Sequence, residues 1–553
     1  MSTNMHTKSN RIDYGSLTPG NAFRKLWLLI PLVSKITFLS TFVVGFLVHG
    51  FLFSNLLLNN HDTLHFFTGA PNFIVSGRWL ETFSYSLSGP VTMPWALGLL
   101  AIFYMSITAC LIVACLGIKR IYCGILVGVI LVAFPHTAVG FAYLGGVDGN
   151  NISILLACLS AYVSKKGRFG FIIGILFLTL ALGINQISIA FTSGLFVIML
   201  IFDLLQRELP LKTIIVRLVK YLSVLLIGII SYTVVLNILL TVRNITLWAR
   251  QGIDQLGQTS VYQHLAGIPI AYREFVNYFY QRGFFPTDEL NRLTFVILAV
   301  SIVLMLALLA SKLFLPPSTD SEKSSLSGAP LVIRIVLLSL LLIAFPLAIN
   351  PIHVLSPATF VGNMMLRSLL LFLVFVVALI DKIDLTLPQI SPFFAKCGVA
   401  TTWVSLAVLV LFQYNHFIVV NENYVKSELV MRHTYHFAST MVDSIRATPE
   451  FNDDMQVVLV GNRSGNDDHV MRWFNQGGRR VRDFFDTNQL INSFGFGSFV
   501  RIILGENITF RFIWGAEFFD EFRDELSDLN IYPSDGSKII IDNILFIRMG
   551  YDF

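Results

Sequence analysis

The chain has 553 residues, of which 55% are hydrophobic and 13% charged; a soluble globular chain carries about 25% charged residues. Its mean hydropathy is +0.70. These values exclude an ordinary soluble enzyme, and the 48 phenylalanines exclude a disordered chain.

Taken from the start, no signal peptide is read, because about thirty mostly polar residues precede the first long apolar run. Phe23 to Leu29 reads as an interfacial amphipathic helix. Apolar stretches long enough to be considered as spans then follow at 36–57, 95–117, 121–138, 152–164, 169–186, 187–205, 221–242, 293–315, 331–349, 365–381 and 398–414, about eleven in all. The 152–205 region is the least regular, because two of its runs are short and Asn185-Gln186 interrupts the third. A short hairpin dipping into the membrane also suits it. The basic groups Lys119-Arg120, Lys165-Lys166-Arg168, Arg207 to Lys220, Lys312 to Lys323 and Lys382 to Lys396 fall on alternate sides. Placed in the cytoplasm, they put the N-terminus inside and the loops 58–94, 139–151, 243–292 and 350–364 outside, together with everything after 415. The 243–292 loop is amphipathic and aromatic, suited to lying on the membrane, and 316–330 reads as a flexible linker.

The charge shifts near residue 415. Residues 415–553 hold 13 basic and 20 acidic groups, net −7, which leaves 26 of the 39 basic and 14 of the 34 acidic groups, net +12, for the first 414. That shift divides the chain into a membrane domain, 1–414, and a water-soluble tail, 415–553. In the tail, 416–447 has helical periodicity, Met455 to Gly461 reads as a buried strand, Phe518 to Leu529 as a charged helix, and Ile539 to Ile547 as one or two strands. The expected fold is an all-α polytopic membrane domain with a small C-terminal α/β domain on the outer side. The five cysteines form no CxxC or Cys/His set, so neither a disulfide framework nor a zinc site is expected.

Polar residues in or beside the membrane are the informative ones. The first outward loop carries His61, Asp62, Arg78 and Glu81. Asp62, just past the first span, suits a general base for an acceptor hydroxyl, and Arg78 suits bidentate phosphate binding. A helix-capping Asp and an interfacial Arg explain the same residues. Gly145-Gly146-Val147-Asp148-Gly149-Asn150-Asn151 reads as a close approach of backbone to ligand, or as an ordinary Asp-Gly turn. Asn185-Gln186 can bind sugar hydroxyls or bridge helices. Asn363 and Arg367 start the tenth span, where Arg367 either snorkels or holds a lipid phosphate. There is no GxxxxGKS loop, no GxGxxG before a helix, and no inverted repeat.

With an acid after the first span, a large first outward loop, about ten spans and an outward C-terminal domain, the layout resembles the GT-C class of lipid-linked-sugar glycosyltransferases. Within it, the chain is similar to the serotype-converting O-antigen glucosyltransferases, the Gtr type II family. Asp62 with Gly77-Arg78-Trp79, the Asp148-Gly149-Asn150 loop, Asn185-Gln186 and Asn363 to Arg367 carry the likeness, although the family often has Tyr-Gln where this chain has Asn185-Gln186. The resemblance implies an inverting enzyme of the bacterial inner membrane. It moves glucose from undecaprenyl-phosphate glucose to a sugar of lipid-linked O-antigen polysaccharide on the periplasmic side. It further implies Asp62 and Asp148 as catalytic, Arg78 and Arg367 as donor-phosphate ligands, and His61, Glu81, Asn150, Asn185, Gln186 and Asn363 as substrate-binding. No cofactor is expected, and a divalent ion is left open. The implied partners are membrane lipids, a donor-synthesising glycosyltransferase and a flippase, with no nucleic acid. Another lipid-linked-glycan enzyme (an O-antigen polymerase or ligase), or a polyprenyl-lipid flippase or transporter, are the alternatives.

Overall fold

The structure, a computed structural model, describes residues 18–66, 73–89, 91–248, 259–281, 285–314, 328–357, 361–386, 392–461, 490–491, 495–513 and 517–550. The linker expected at 316–330 lies outside these apart from its last three residues.

In hydrocarbon every backbone polar group must be satisfied within its own segment, so apolar runs become helices. All eleven apolar stretches are helical. They are α2 (Leu32–Ser54), α5 (Pro94–Leu116), α6 (Ile121–Ala133) with α7 (Pro135–Phe141), α8 (Val147–Ser164), α9 (Arg168–Ile184), α10 (Ile189–Leu205), α11 (Leu211–Arg243), α13 (Asp288–Ser311), α14 (Ala329–Ile349), α16 (Leu370–Thr386) and α17 (Pro392–Arg446). Among the described residues eight helical segments are long and apolar enough to cross a bilayer, and nine if α6 and α7 count as one broken span. The N-terminal amphipathic segment is α1 (Pro19–Leu29). Short helices α3 (Asn60–His65) and α4 (Glu81–Ser86) lie in the first loop. The aromatic loop contains α12 (Val261–Tyr280), and α15 (Ile352–Leu355) precedes a 3-10 turn, Asn363–Leu369, that leads into α16.

The break between α6 and α7 has a local cause. Pro135 has no N–H to give and its ring clashes with the preceding turn, and the two helices meet at 53°. The Val132 carbonyl left at the bend accepts from His49 Nε2 at 2.9 Å, while His49 Nδ1 bonds the Tyr424 hydroxyl at 2.7 Å. One imidazole thus caps the bend from α2 and ties it to α17.

The tail begins inside a helix. α17 runs 55 residues without interruption past position 415, and Phe437, Ala438, Met441, Val442 and Ile445 near its end belong to the tail's own core. The sheet order is β2-β1-β4-β3, from β1 (Gln456–Val460), β2 (Thr509–Phe510), β3 (Lys538–Ile541) and β4 (Ile544–Arg548). β1 is parallel to β2 and β4, and β3 is antiparallel to β4. The β3–β4 loop is Asp542-Asn543, both at positive φ, as a tight two-residue hairpin requires. Phe518 to Leu529 forms two short helices, α19 (Glu517–Asp520) and α20 (Arg523–Ser527), where one was expected. Between β1 and β2 lies α18 (Phe496–Phe499), which packs on α3 of the membrane domain; Thr63 Oγ1 lies 3.5 Å from Gly495 O.

Candidate active site

The first turns of α8 organise the site. On one side lies the first loop. Asn59 caps α3 by accepting from His61 N (2.8 Å) and Asp62 N (2.9 Å), and Asp62 Oδ2 returns a bond from Asn59 N at 3.3 Å, completing a capping box. Asp62 does more than cap. Its Oδ1 accepts from Gly145 N at 2.9 Å and its Oδ2 from Leu144 N at 3.3 Å, so both oxygens hold backbone N–H groups of the turn that leads into α8. The side chain is buried. Burial pushes its carboxyl up to about 7, against the pull of the bonds from Gly145, Asn59 and Leu144. A Cβ on Gly145 would run into the Tyr85 hydroxyl, which is why the turn needs glycine there.

Asp148 sits in the first turn of α8, 1% exposed. Its Oδ2 accepts from the Ser88 hydroxyl, and its Oδ1 has no hydrogen-bond partner among the described residues. Burial raises this carboxyl, and the Ser88 bond opposes that. Tyr85 lies between the acids, its phenol pushed up to about 12 by burial first and then by Asp62. Glu81 is buried and pairs with Arg78 Nη1 at 3.2 Å, so Glu81 serves to hold the guanidinium. The Arg78 Nε has no partner among the described residues. His61 is half-buried, its ring 5.8 Å from that of Tyr143.

Further along α8 lies a small, partly open pocket, lined by Asn150, Ser153, Asn185, Ser188, Met364 and Arg367 among others. Arg367 is buried at the start of the 363–386 span and does not snorkel outward. Its Nη2 donates to Asn151 Oδ1 at 2.8 Å, and its Nε has no partner among the described residues. No carboxylate pairs with it among the described residues. A Cβ on Gly140 would lie 2.7 Å from its Nη1. Asn185 Nδ2 donates to Asn150 Oδ1 at 2.9 Å. Asn363 is half-buried in the 3-10 turn that delivers Arg367.

Gln186 is placed differently from its neighbour. Its Nε2 donates to Ser76 O (3.2 Å) and to the Tyr232 hydroxyl (3.0 Å), and that hydroxyl donates to Gly77 O at 2.9 Å. Gly77 has φ +74°, and a Cβ there would meet both groups below 3.0 Å. Leu80 N also donates to Gly183 O at 2.7 Å. The helix-bridging reading therefore describes Gln186, and with Tyr232 it fastens the turn that presents Arg78. Sequence reasoning missed Tyr85, Ser88 and Tyr232. The Ser88 and Tyr232 hydroxyls act on partners 60 and 155 residues away, and no local pattern signals them.

The sequence profile described as glucosyl transferase GtrII matches residues 50–380, which contains every one of these groups. The chain belongs to that family. It is a membrane glycosyltransferase, and the match spans α3, α8 and the Arg367 turn but stops before α17 and the tail. No curated protein and no solved structure matches the chain.

Proposed function

We propose that this GtrII-family protein transfers glucose from undecaprenyl-phosphate glucose to a sugar hydroxyl of lipid-linked O-antigen, on the outer side of the bacterial inner membrane, with inversion at the anomeric carbon. One observation supports this most: the first turns of α8 hold a carboxylate with one unpartnered oxygen, Asp148, and, bound to Asn151, a buried guanidinium with no paired carboxylate among the described residues, Arg367. Asp148 and Asn151, the residue that Arg367 binds, are three apart and so neighbours on the helix surface, with Cβ atoms about 5–6 Å apart. A buried cation without a carboxylate partner calls for an anion, and the adjacent helix N-terminus favours one as well.

In this reading the acceptor hydroxyl gives its proton to Asp148 Oδ1 and its oxygen attacks the anomeric carbon. The bond from that carbon to the phosphate oxygen breaks, and the polyprenyl phosphate leaves with both electrons. Arg367, the Asn151 it is bound to, and Arg78 stabilise the charge that grows on the phosphate. Asn150 and Asn185 offer amides to the sugar. Asp62 is the weaker candidate for the base, because its oxygens already hold three backbone N–H groups; its part is to shape the turn that carries Asp148. The tail domain, resting on α3, would offer the polymeric acceptor a wet surface. A donor-synthesising glycosyltransferase and a flippase would supply the substrate.

The test supplies purified full-length protein in detergent with undecaprenyl-phosphate glucose and lipid-linked O-antigen. Product carrying glucose with the opposite anomeric configuration is expected. Transfer from UDP-glucose in place of the lipid donor, or retention at the anomeric carbon, would overturn the reading.

A further inference from the structure

The far end of the membrane domain carries a second charged constellation, apart from the candidate active site. α5 begins beside the site, where Thr92 N donates to Phe66 O at 3.2 Å. Its 23 residues rise about 34 Å, a bilayer core's thickness. At its C-terminus three junctions meet. Lys165, just after α8, donates from Nζ to Cys115 O at 3.0 Å. Lys382, in α16, donates to Gly117 O at 2.8 Å. Two ammonium groups from distant parts of the chain therefore sit on carbonyls two residues apart at one helix end. Lys119, in the α5–α6 connection, lies within electrostatic reach of Lys382, as does Lys165.

Carboxylates at this junction do not balance these charges. Asp381 Oδ1 already accepts from Lys119 N and Arg120 N at 2.9 and 2.8 Å, and its Oδ2 lies 3.6 Å from Lys382. Asp384 pairs with Arg120 at 2.6 Å. Four cations thus face two carboxylates among these residues, a surplus of two charges. The helix end contributes only about half a negative charge. Lys119 and Lys165 remain exposed. The neighbouring surface is apolar: Ile121 and Tyr122 open α6, Phe169 lies in the first turn of α9, and all three are exposed.

We propose that this junction binds the headgroup of an anionic phospholipid in the leaflet opposite the transfer site. The phosphate would lie against Lys119 and Lys165, and the acyl chains against Ile121, Tyr122 and Phe169. The surplus positive charge selects an anionic headgroup over a zwitterionic one, and the adjoining apolar surface selects a lipid over free phosphate. The site is independent of the donor and of the transfer reaction.

The experiment measures thermal unfolding of the full-length protein in a mild detergent supplemented with phosphatidylglycerol, phosphatidylcholine or glycerol phosphate. Phosphatidylglycerol is expected to raise the Tm by several degrees while the other two leave it unchanged. A K119Q/K165Q double variant should lose at least half of that shift and keep the wild-type transfer rate; a K119R/K165R variant should keep the shift. Equal stabilisation by phosphatidylcholine, or a full shift in the Gln variant, overturns the proposal. A full shift with glycerol phosphate alone overturns the lipid assignment. Should the Gln variant not fold, native mass spectrometry of the wild type decides. Phosphatidylglycerol adducts that survive where phosphatidylcholine adducts are lost support the site, and equal survival refutes it.

Discussion

Replacing each acid of the site by its amide separates chemistry from architecture. In Asp148→Asn the Ser88 hydroxyl can still donate, now to the amide oxygen, and Oδ1 had no partner to lose among the described residues. The fold should therefore lose less than about 1 kcal/mol, while removal of a positioned base should slow transfer by about 10²–10⁴-fold. In Asp62→Asn the oxygen can keep Gly145 N, but the new NH2 then confronts Asn59 N and Leu144 N, both donors. Two lost bonds at about 1 kcal/mol each put the cost near 2 kcal/mol of stability, with a smaller loss of rate in the molecules that remain folded. The assay pairs glucose transfer in detergent with thermal unfolding of the same preparations. If Asp148→Asn kept transfer within threefold of wild type, and Asp62→Asn lost more than 100-fold at an unchanged Tm, this division of roles would be wrong and Asp62 would be the base.

Other expectations follow from neighbouring contacts. Tyr232→Phe removes the hydroxyl that links Gln186 to Gly77 O; two bonds worth about 2 kcal/mol, if expressed wholly in the transition state, give about a 30-fold loss in kcat/KM, concentrated in the donor KM because the turn presents Arg78. Steady-state kinetics with each substrate varied in turn checks this. Arg367→Lys keeps a charge but loses the planar fork that meets Asn151, so transfer should fall, and Arg367→Ala should lower it about 10²–10³-fold; equal rates for wild type and both variants would remove Arg367 from the site. The Asp62 carboxyl, raised from 3.8 to about 7 in the folded protein, keeps its proton between those values while the unfolded chain has lost it. Its contribution to stability is therefore greatest below about pH 4 and is lost as the pH rises through 7. Melting curves from pH 5 to 8 should show a decline in wild type that is shallower in Asp62→Asn.

The membrane helices were legible because long apolar runs admit few other structures in lipid. The bend after Phe134 was not read, although Pro135 is in plain view, because 121–138 is apolar throughout and the proline was absorbed into one span. The tail's beginning was placed by the charge shift near 415, yet no helix end lies there; Asn415, His416 and Asn423 are buried in α17 and extend the same packed face through the change in composition. Of the site, Asp148, Asn150, Asn185 and Arg367 could be picked out as polar groups in costly surroundings. What the sequence could not convey was who holds whom. Asp62 is bound by amides more than 80 residues away, and Gln186 and its neighbour Asn185 face different partners because the helix breaks between α9 and α10.

The uninterrupted α17 has a mechanical corollary. Fifty-five residues make a rod about 80 Å long, rooted among the membrane helices at one end and forming part of the tail's core at the other. Since α18 of that tail rests on α3, the rod and this contact close a loop of structure that takes in the first loop of the candidate site. A tilt of the last span would therefore be expected to reach α3, the helix that carries Asp62, through the tail and not only through the membrane helices.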